Sequence, residues 1–401
     1  MNVDFTDQRH EELRKQARSF AEEVVRPRVT QMEESRQTHD ELVRLMAKQG
    51  WMAVTVGRQY GGMELGHLAK SILIEEVSRV SGAAGAALQA SQLGVAKLLH
   101  FGSERQKDRW LPAISRGDCL PTIAVTEAES GGHVMGMSAH ARRDGADFVL
   151  NGRKSFVGNS HIGDLHGVVV RAEEGSHGLS AFVVEAGRPG LTLGEHRPAM
   201  GLHGFSFGEL VFHDCRIPAE NLIGREGEGL AVAYSSSILY GRLNLAAVAL
   251  GIHRALVEDT ARFLAEQHRY GQPLGALGAV QQKLGAMQSR LMTARLTLYH
   301  AAHLLDQGVP CDPHLINAKL VNVELTLDSA RTAMEIHGAT GLFPHRGIER
   351  YLRDAYHLFA PAGTSDVQRL RLAEAALGRC KGEQWSLRFA AGRQGGEPQS
   401  V

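Results

Sequence analysis

Apolar residues recur at helical spacing from the start of the chain. Leu13, Ala17, Phe20, Val24 and Val25 stand among charged residues, which predicts an amphipathic helix that Pro27 ends. A second amphipathic stretch runs from about Asp40 to Gly50, and Gly61-Gly62 marks a loop. Small and apolar side chains from Leu73 to Leu99 predict a buried helical pair broken near Gly82, and Trp110-Leu111-Pro112 closes another short helix. The pattern changes near Thr122. Asp144-Gly145 and Asn151-Gly152 are hairpin signals a few residues apart. Val168-Val169-Val170, Ala181-Phe182-Val183-Val184 and Leu210-Val211-Phe212 are short β-rich runs bounded by Gly, Pro or charge. Helical periodicity returns after Gly229, with segments near 230–268, 278–307 and 312–339 long enough for a bundle, and a last helix near 364–378.

This order predicts an α+β chain of three parts: an N-terminal helical domain (1–121), a central antiparallel β domain (122–229) and a C-terminal four-helix bundle (230–385). The turns of the β region are too close for crossover helices. The tail, 386–401, is expected to be disordered.

Composition narrows the function classes. The chain has 401 residues, 43% apolar and 22% charged, which is ample for a full core. Lys+Arg and Asp+Glu number 44 each, so no basic excess points to nucleic acid or an anionic membrane. The N-terminus lacks the apolar stretch of a signal peptide, no run approaches a membrane span, and a cytoplasmic location is expected. The four cysteines are scattered and form no CxxC pair, so free thiols are expected. Cys119, Cys215 and Cys311 each lie beside an Asp, which does not favour a thiolate. No GxGxxG follows a strand; Gly227-Glu228-Gly229 lacks the third glycine and reads as a loop entering a helix. His300, His303 and Asp306 share a helix face, but ordinary packed or surface histidines are the expectation, with no metal.

Seven segments in order carry a family resemblance. They are Phe101-Gly102-Ser103-Glu104-Arg105-Gln106-Lys107 with Trp110-Leu111-Pro112; Ala124 to His133; Leu150 to Asn159; Leu210 to Gly229; Tyr270 to Leu274 with Val280-Gln281; Glu335 to Gly341; and Arg353 to Arg369. Together they resemble the acyl-CoA dehydrogenase flavoproteins over nearly the whole chain. The resemblance implies FAD between the β domain and the bundle, a homodimer or homotetramer whose neighbouring subunit completes the FAD pocket, an acyl-CoA or acyl carrier protein thioester as substrate, and an electron-transferring flavoprotein as a partner. It also implies site residues. Val125, Thr126 and Phe156 match positions at the isoalloxazine ring, and Gly158 a position close to it. Gly131 and Gly132 lie where a loop passes flavin phosphate or substrate. Tyr270 and Gln281 match positions reaching the partner's FAD, and Gly338 and Ala339 a pair at its pyrophosphate, preceded by Glu335. Arg269 is placed to compensate for Gln267, which stands where an arginine usually meets FAD phosphate. Thr364 and Ser365 follow the base position and touch FAD, and Arg242 matches an arginine of the bundle helix near the active site.

The same resemblance exposes a departure. The residue before Gly363-Thr364-Ser365 is typically the glutamate that removes the α-proton; here it is Ala362, which cannot take a proton. Some members carry that glutamate on the bundle helix, where this chain has Gly241. Gly158 and Pro361 also depart from the pattern, and the loss of bulk at Ala362 and Gly158 suggests an opened pocket. His357, Tyr240 and Asp366 are candidate substitutes, histidine being the best suited near neutral pH. Three readings follow: an FAD oxidoreductase on an acyl thioester with atypical proton handling, a flavin-dependent monooxygenase on the same fold, and a non-catalytic thioester-binding homologue.

Overall fold

The computed structural model describes residues 5–37, 39–172, 178–196, 198–379 and 385–386. Most of the expected disordered tail lies outside them. Helix α1 (Gln8–Phe20) starts at Asp7, whose carboxylate accepts the His10 N–H while the His10 ring accepts the Asp7 N–H. Leu13 and Ala17 are buried. Pro27 does not end the helical path as expected. The chain tightens from a π-turn (Ala21–Val25) into a 3₁₀ turn (Arg26–Arg28) and continues as α2 (Val29–Ser35). Pro27 sits in the first turn of the 3₁₀ segment, where its missing N–H costs little. Next come α3 (Asp40–Lys48), α4 (Gly66–Val80), α5 (Gly82–Phe101) and α6 (Glu104–Ser115). The α4–α5 pair is buried along most of its length and breaks where expected, with Ser81 Oγ capping the Ala84 N–H at 3.2 Å.

The β region holds β1 (Pro121–Ala124), β2 (His140–Asp144), β3 (Asp147–Gly158), β4 (Leu165–Ala172), β5 (Leu179–Glu185), β6 (Leu191–Leu193), β7 (Phe207–Ile217) and β8 (Leu222–Ile223). They form one sheet in the order β6-β7-β3-β2-β4-β5-β8, with β1 on β4. Most pairings are antiparallel, but β1–β4 and β2–β4 are parallel. The β2–β3 hairpin, rather than a helix, occupies the chain between those partners. Asp144-Gly145 makes the predicted hairpin turn. Asn151-Gly152 does not. It lies inside β3 at a register shift against β7, because Gly152 (φ 130) passes so close to Ala139 that a Cβ would stand 2.5 Å from the Ala139 Cβ.

The bundle begins with α7 (Gly229–Ser235), which runs through a π-helical stretch (Ser236–Arg242) into α8 (Leu243–Glu266). A short hairpin of β9 (His268–Arg269) and β10 (Gln272–Pro273) leads to α9 (Gly278–Asp306), α10 (Asp312–His337), α11 (Ile348–His357) and α12 (Ser365–Ala376). The sequence pattern did not single out α11. Buried Glu75 and Glu76 on α4 tie the first domain to the bundle. Glu76 pairs with Arg14, Arg18 and Arg254, and Glu75 with Arg295 and the Tyr299 hydroxyl. Cys119, Cys215 and Cys311 are buried free thiols, and burial pushes them up to about 12, 11 and 12. Cys380 lies outside the described residues. His303 and Gln307 bond to each other, while Asp306 receives the N–H groups of His67 and Leu68 at the start of α4. No group of metal-ligand side chains occurs among the described residues, and no described helix is long and apolar enough to cross a membrane.

Candidate active site

The first half of the site is built on β3. Its register against β7 shifts between Lys154 and Val157, and this bulge turns Phe156 outward at φ 58 with 58% of its surface exposed. Phe156 heads an aromatic row in which Phe207 lies 5.9 Å from it and 5.8 Å from Phe205. The Thr126 carbonyl accepts the Ser155 N–H at 2.8 Å, so the Val125-Thr126 segment lies against the same strand. Behind this face is a buried ion pair that sequence reasoning missed. Lys154 Nζ donates to Glu127 Oε1 (2.8 Å) and to the Val125 carbonyl (3.0 Å), and Glu127 also accepts the N–H groups of Ser138 and Ala139. Burial opposes the charge on both groups. It holds the Lys154 pKa below the ordinary value, whereas Lys154 and the two N–H donors carry the Glu127 pKa below its own. The pair clamps both ends of the loop containing Gly131 and Gly132. A Cβ at either glycine would meet nothing within 4 Å, so the loop faces open space.

Gly158 corrects the idea of an enlarged pocket. A Cβ there would stand 2.9 Å from Ala90 Cβ and 3.1 Å from Phe205 Cζ. The room released by the glycine is filled by neighbouring side chains.

The second half centres on Ala362, in a left-handed turn at φ 55 between α11 and α12. The turn is held from α10. Lys319 is fully buried and donates to the Phe359 and Gly363 carbonyls at 2.8 Å each. Gln368 donates to the Ala362 and Gly363 carbonyls at 2.9 and 3.0 Å. The Ala362 N–H itself has no hydrogen-bond partner among the described residues. A Cβ on Gly241 would lie 3.5 Å from Ala362 Cβ, so the two positions that carry the base in the resembled family face each other here, both without an acid. Lys319 had a readable signal. It is a charged residue on the helix face shared by Leu315, Asn322, Val323 and Thr326, all of them buried.

Burial, then the nearby Arg242 charge, push Lys319 from 10.5 down to about 8. Between those values the unfolded chain holds a proton that the folded chain has released, so Lys319 makes stability rise with pH across that interval. Relative to Lys319→Met, the wild type is expected to gain urea resistance from pH 8 to 10.5. Parallel curves would show that Lys319 does not titrate this way.

The substitute bases fare differently from expectation. Tyr240 turns into the first domain: its hydroxyl is 3.4 Å from Thr55 Oγ1 and 3.3 Å from His100 Nε2, and Lys70 Nζ lies 3.8 Å from its ring centre. The π-helical turn carries Tyr240, Gly241 and Arg242 in directions that an α-helical reading does not anticipate. Asp366 points to solvent with 93% of its side chain exposed and pairs with Arg369. His357 stands edge-on to Phe207 at 5.3 Å, and burial pushes it down to about 4, which makes it neutral but a weak base at pH 7.

The remaining predicted residues lie on another surface. Tyr270, at φ 53, is 91% exposed at the tip of the β9–β10 hairpin, and Arg269 donates to the His268 carbonyl. Gln281 donates to the Gly275 carbonyl at 2.8 Å, and Gly338 (φ 56) and Ala339 lie just past the end of α10. Glu335 forms an exposed ion pair with Lys283 at 2.7 Å. No hydrogen bond joins this group to the Val125–Gly132 segment among the described residues.

Three family models match consecutive stretches: the acyl-CoA dehydrogenase N-terminal domain at residues 7–118, the middle domain at 122–215 and the C-terminal domain at 227–377. The chain belongs to the acyl-CoA dehydrogenase family. An acyl-CoA dehydrogenase of Bacillus subtilis is 33% identical over 369 residues, covering 91% of this chain and 97% of the relative. Butyryl-CoA dehydrogenase from Megasphaera elsdenii superposes with a TM-score of 0.91 at 28% identity, covering 94% of this chain and all of that one. The FAD complex of PigA gives 0.89 at 28% identity, with coverage of 94% and 100%. The prolyl acyl carrier protein oxidase AnaB gives 0.87 at 28% identity, with coverage of 92% and 99%.

As an acyl-CoA dehydrogenase family member, the protein is an FAD-dependent oxidoreductase. Its residues fit that cofactor. Phe156 offers an exposed aromatic face beside Val125 and Thr126, and Ser365 Oγ, next to the turn, is buried without a hydrogen-bond partner. Bound FAD supplies the hydride acceptor.

Proposed function

We propose that the protein oxidises an acyl thioester, carried by CoA or by an acyl carrier protein, without a carboxylate base at either family position, the hydride passing to bound FAD and the α-proton to a solvent water. The supporting observation is the pairing of Ala362 and Gly241 across one site while the turn that carries Ala362 remains fully braced. In this reading the Ala362 N–H, which has no hydrogen-bond partner among the described residues, binds the thioester carbonyl, a backbone function that survives loss of the side chain. Val125, Thr126, Phe156, Thr364 and Ser365 hold the flavin of the same subunit in this reading. Arg269, Tyr270, Gln281, Gly338 and Ala339 reach the flavin of a second copy, which the exposure of Tyr270 supports. An electron-transferring flavoprotein is the proposed acceptor.

The test is an anaerobic visible spectrum of the FAD-loaded protein titrated with acyl-CoA and acyl-pantetheine thioesters. Bleaching of the flavin band by a thioester is the expected result. Oxidation of added substrate only when reduced flavin meets oxygen would instead favour a monooxygenase. A protein that binds thioester and never bleaches would be a binding homologue. His357→Gln is expected to leave the pH profile of bleaching between 5 and 8 unchanged, since the imidazole is already neutral there.

A further inference from the structure

Arg242 follows Gly241 directly and is buried, with 6% of its surface exposed. It makes no hydrogen bond or ion pair among the described residues, and its Nε is a buried donor without an acceptor. A buried guanidinium without a counter-charge is costly, and proteins normally pair it. The charged neighbours do not supply the pair. Lys319 and Arg371 are cations, and each acts electrostatically on this cluster. Asp312 is the carboxylate that acts favourably on Arg242, but it forms no ion pair with it: its Oδ2 accepts the Ser386 N–H and hydroxyl, and its Oδ1 is buried without a hydrogen-bond partner. Glu324 pairs with Arg369, and Arg371 pairs with Glu374. The Tyr234 ring stacks on Trp385. Beside two facing positions that hold a methyl group and a hydrogen, the protein therefore keeps two buried cations, and among the described residues no carboxylate forms an ion pair with Arg242.

We propose that Arg242, supported by Lys319, is an anion subsite filled by a carboxylate on the acyl group of the substrate. The substrate class is then a carboxyacyl thioester, whose one free carboxylate lies next to the reacting carbons. This rests on the thioester reading above and narrows it. A guanidinium binds a carboxylate through paired N–H donors, and Lys319 raises the local positive potential without leaving the turn it braces.

Calorimetric titration of the FAD-loaded protein tests this by affinity rather than turnover. The probes are succinyl-, methylmalonyl- and butyryl-pantetheine, because pantetheine lacks the phosphates of CoA that would add charge of their own. At least one carboxylated thioester is expected to bind about ten- to hundredfold more tightly than butyryl-pantetheine, the range of one charged hydrogen-bonding contact. Arg242→Met should abolish that preference. Ala362→Glu, which places a carboxylate beside the same cations and does not depend on the tolerance of the buried arginine site, should abolish it too. Equal affinities in the wild type, or a preference that persists in Ala362→Glu, overturn the subsite and leave the thioester reading standing. Failure of all three thioesters to bind overturns the thioester reading and the subsite with it.

Discussion

Ala362→Glu is expected to speed anaerobic flavin reduction by butyryl-CoA by about 10²- to 10⁴-fold, the usual contribution of a positioned general base. The site is ready for it in three respects. The new side chain leaves a turn already held by Lys319 and Gln368, so the backbone need not reorganise. Opposite stands Gly241, whose lack of a side chain leaves space at a Cβ-to-Cβ separation of 3.5 Å. Finally, Arg242 and Lys319 favour the ionised carboxylate, which is the form that accepts a proton. Gly241→Glu should give a smaller gain, because a Cβ there approaches the Ser236 carbonyl oxygen at 3.0 Å. Stopped-flow spectrophotometry of the flavin band reads both. If Ala362→Glu binds butyryl-CoA and its flavin still does not bleach, the carbonyl is not seated where the turn would place it, and the proposed function fails.

Lys154→Met is expected to be the most destabilising single change in the β domain, by about 3–5 kcal/mol, because it leaves Glu127 buried without its counter-charge. FAD affinity should fall as well, since the ion pair fixes the loop after Thr126. The sign of the pH dependence follows from Glu127. Its folded pKa is lowered in the wild type, so the contribution is full above the ordinary carboxylate value of 4.5 and is lost as pH falls below it. The variant has no such contribution to lose, and the gap in urea midpoint between the two proteins should narrow on acidification. Glu127→Gln combined with Lys154→Met should recover most of the loss at pH 7. A double variant as unstable as the single one would mean that the lysine acts by filling space.

Much of this architecture is legible in the chain because its elements are long and strongly periodic. The α4–α5 break at Ser81-Gly82 and the long helices α8, α9 and α10 all announce themselves. What stays hidden depends on contacts distant in sequence. Asn151-Gly152 looks like a turn, and only the approach of Ala139 shows that the glycine serves a bulge. Gly158 reads as a cavity until Ala90 and Phe205 are seen to fill it. At the candidate site, the absence of an acid at 362 and 241 is plain from the residues, whereas their mutual approach is not. Tyr240 misleads because a π-helical turn shifts the angular relation between neighbours, and no local composition marks that shift. Lys154–Glu127 escapes notice because its partners are 27 positions apart.

The way Lys319 braces the turn also bears on how this protein can change. Its bonds go to main-chain oxygens of residues 359 and 363, and none depends on which side chain sits at 362. Reactivity and foldedness are thereby separated at this position. A library randomised at 362 and 241 should yield mostly folded, flavin-loaded proteins, with asparagine and glycine favoured at 362 by its left-handed backbone. The chain is thus a tolerant starting point from which the acid, its absence or another group can be sampled without rebuilding the surrounding frame.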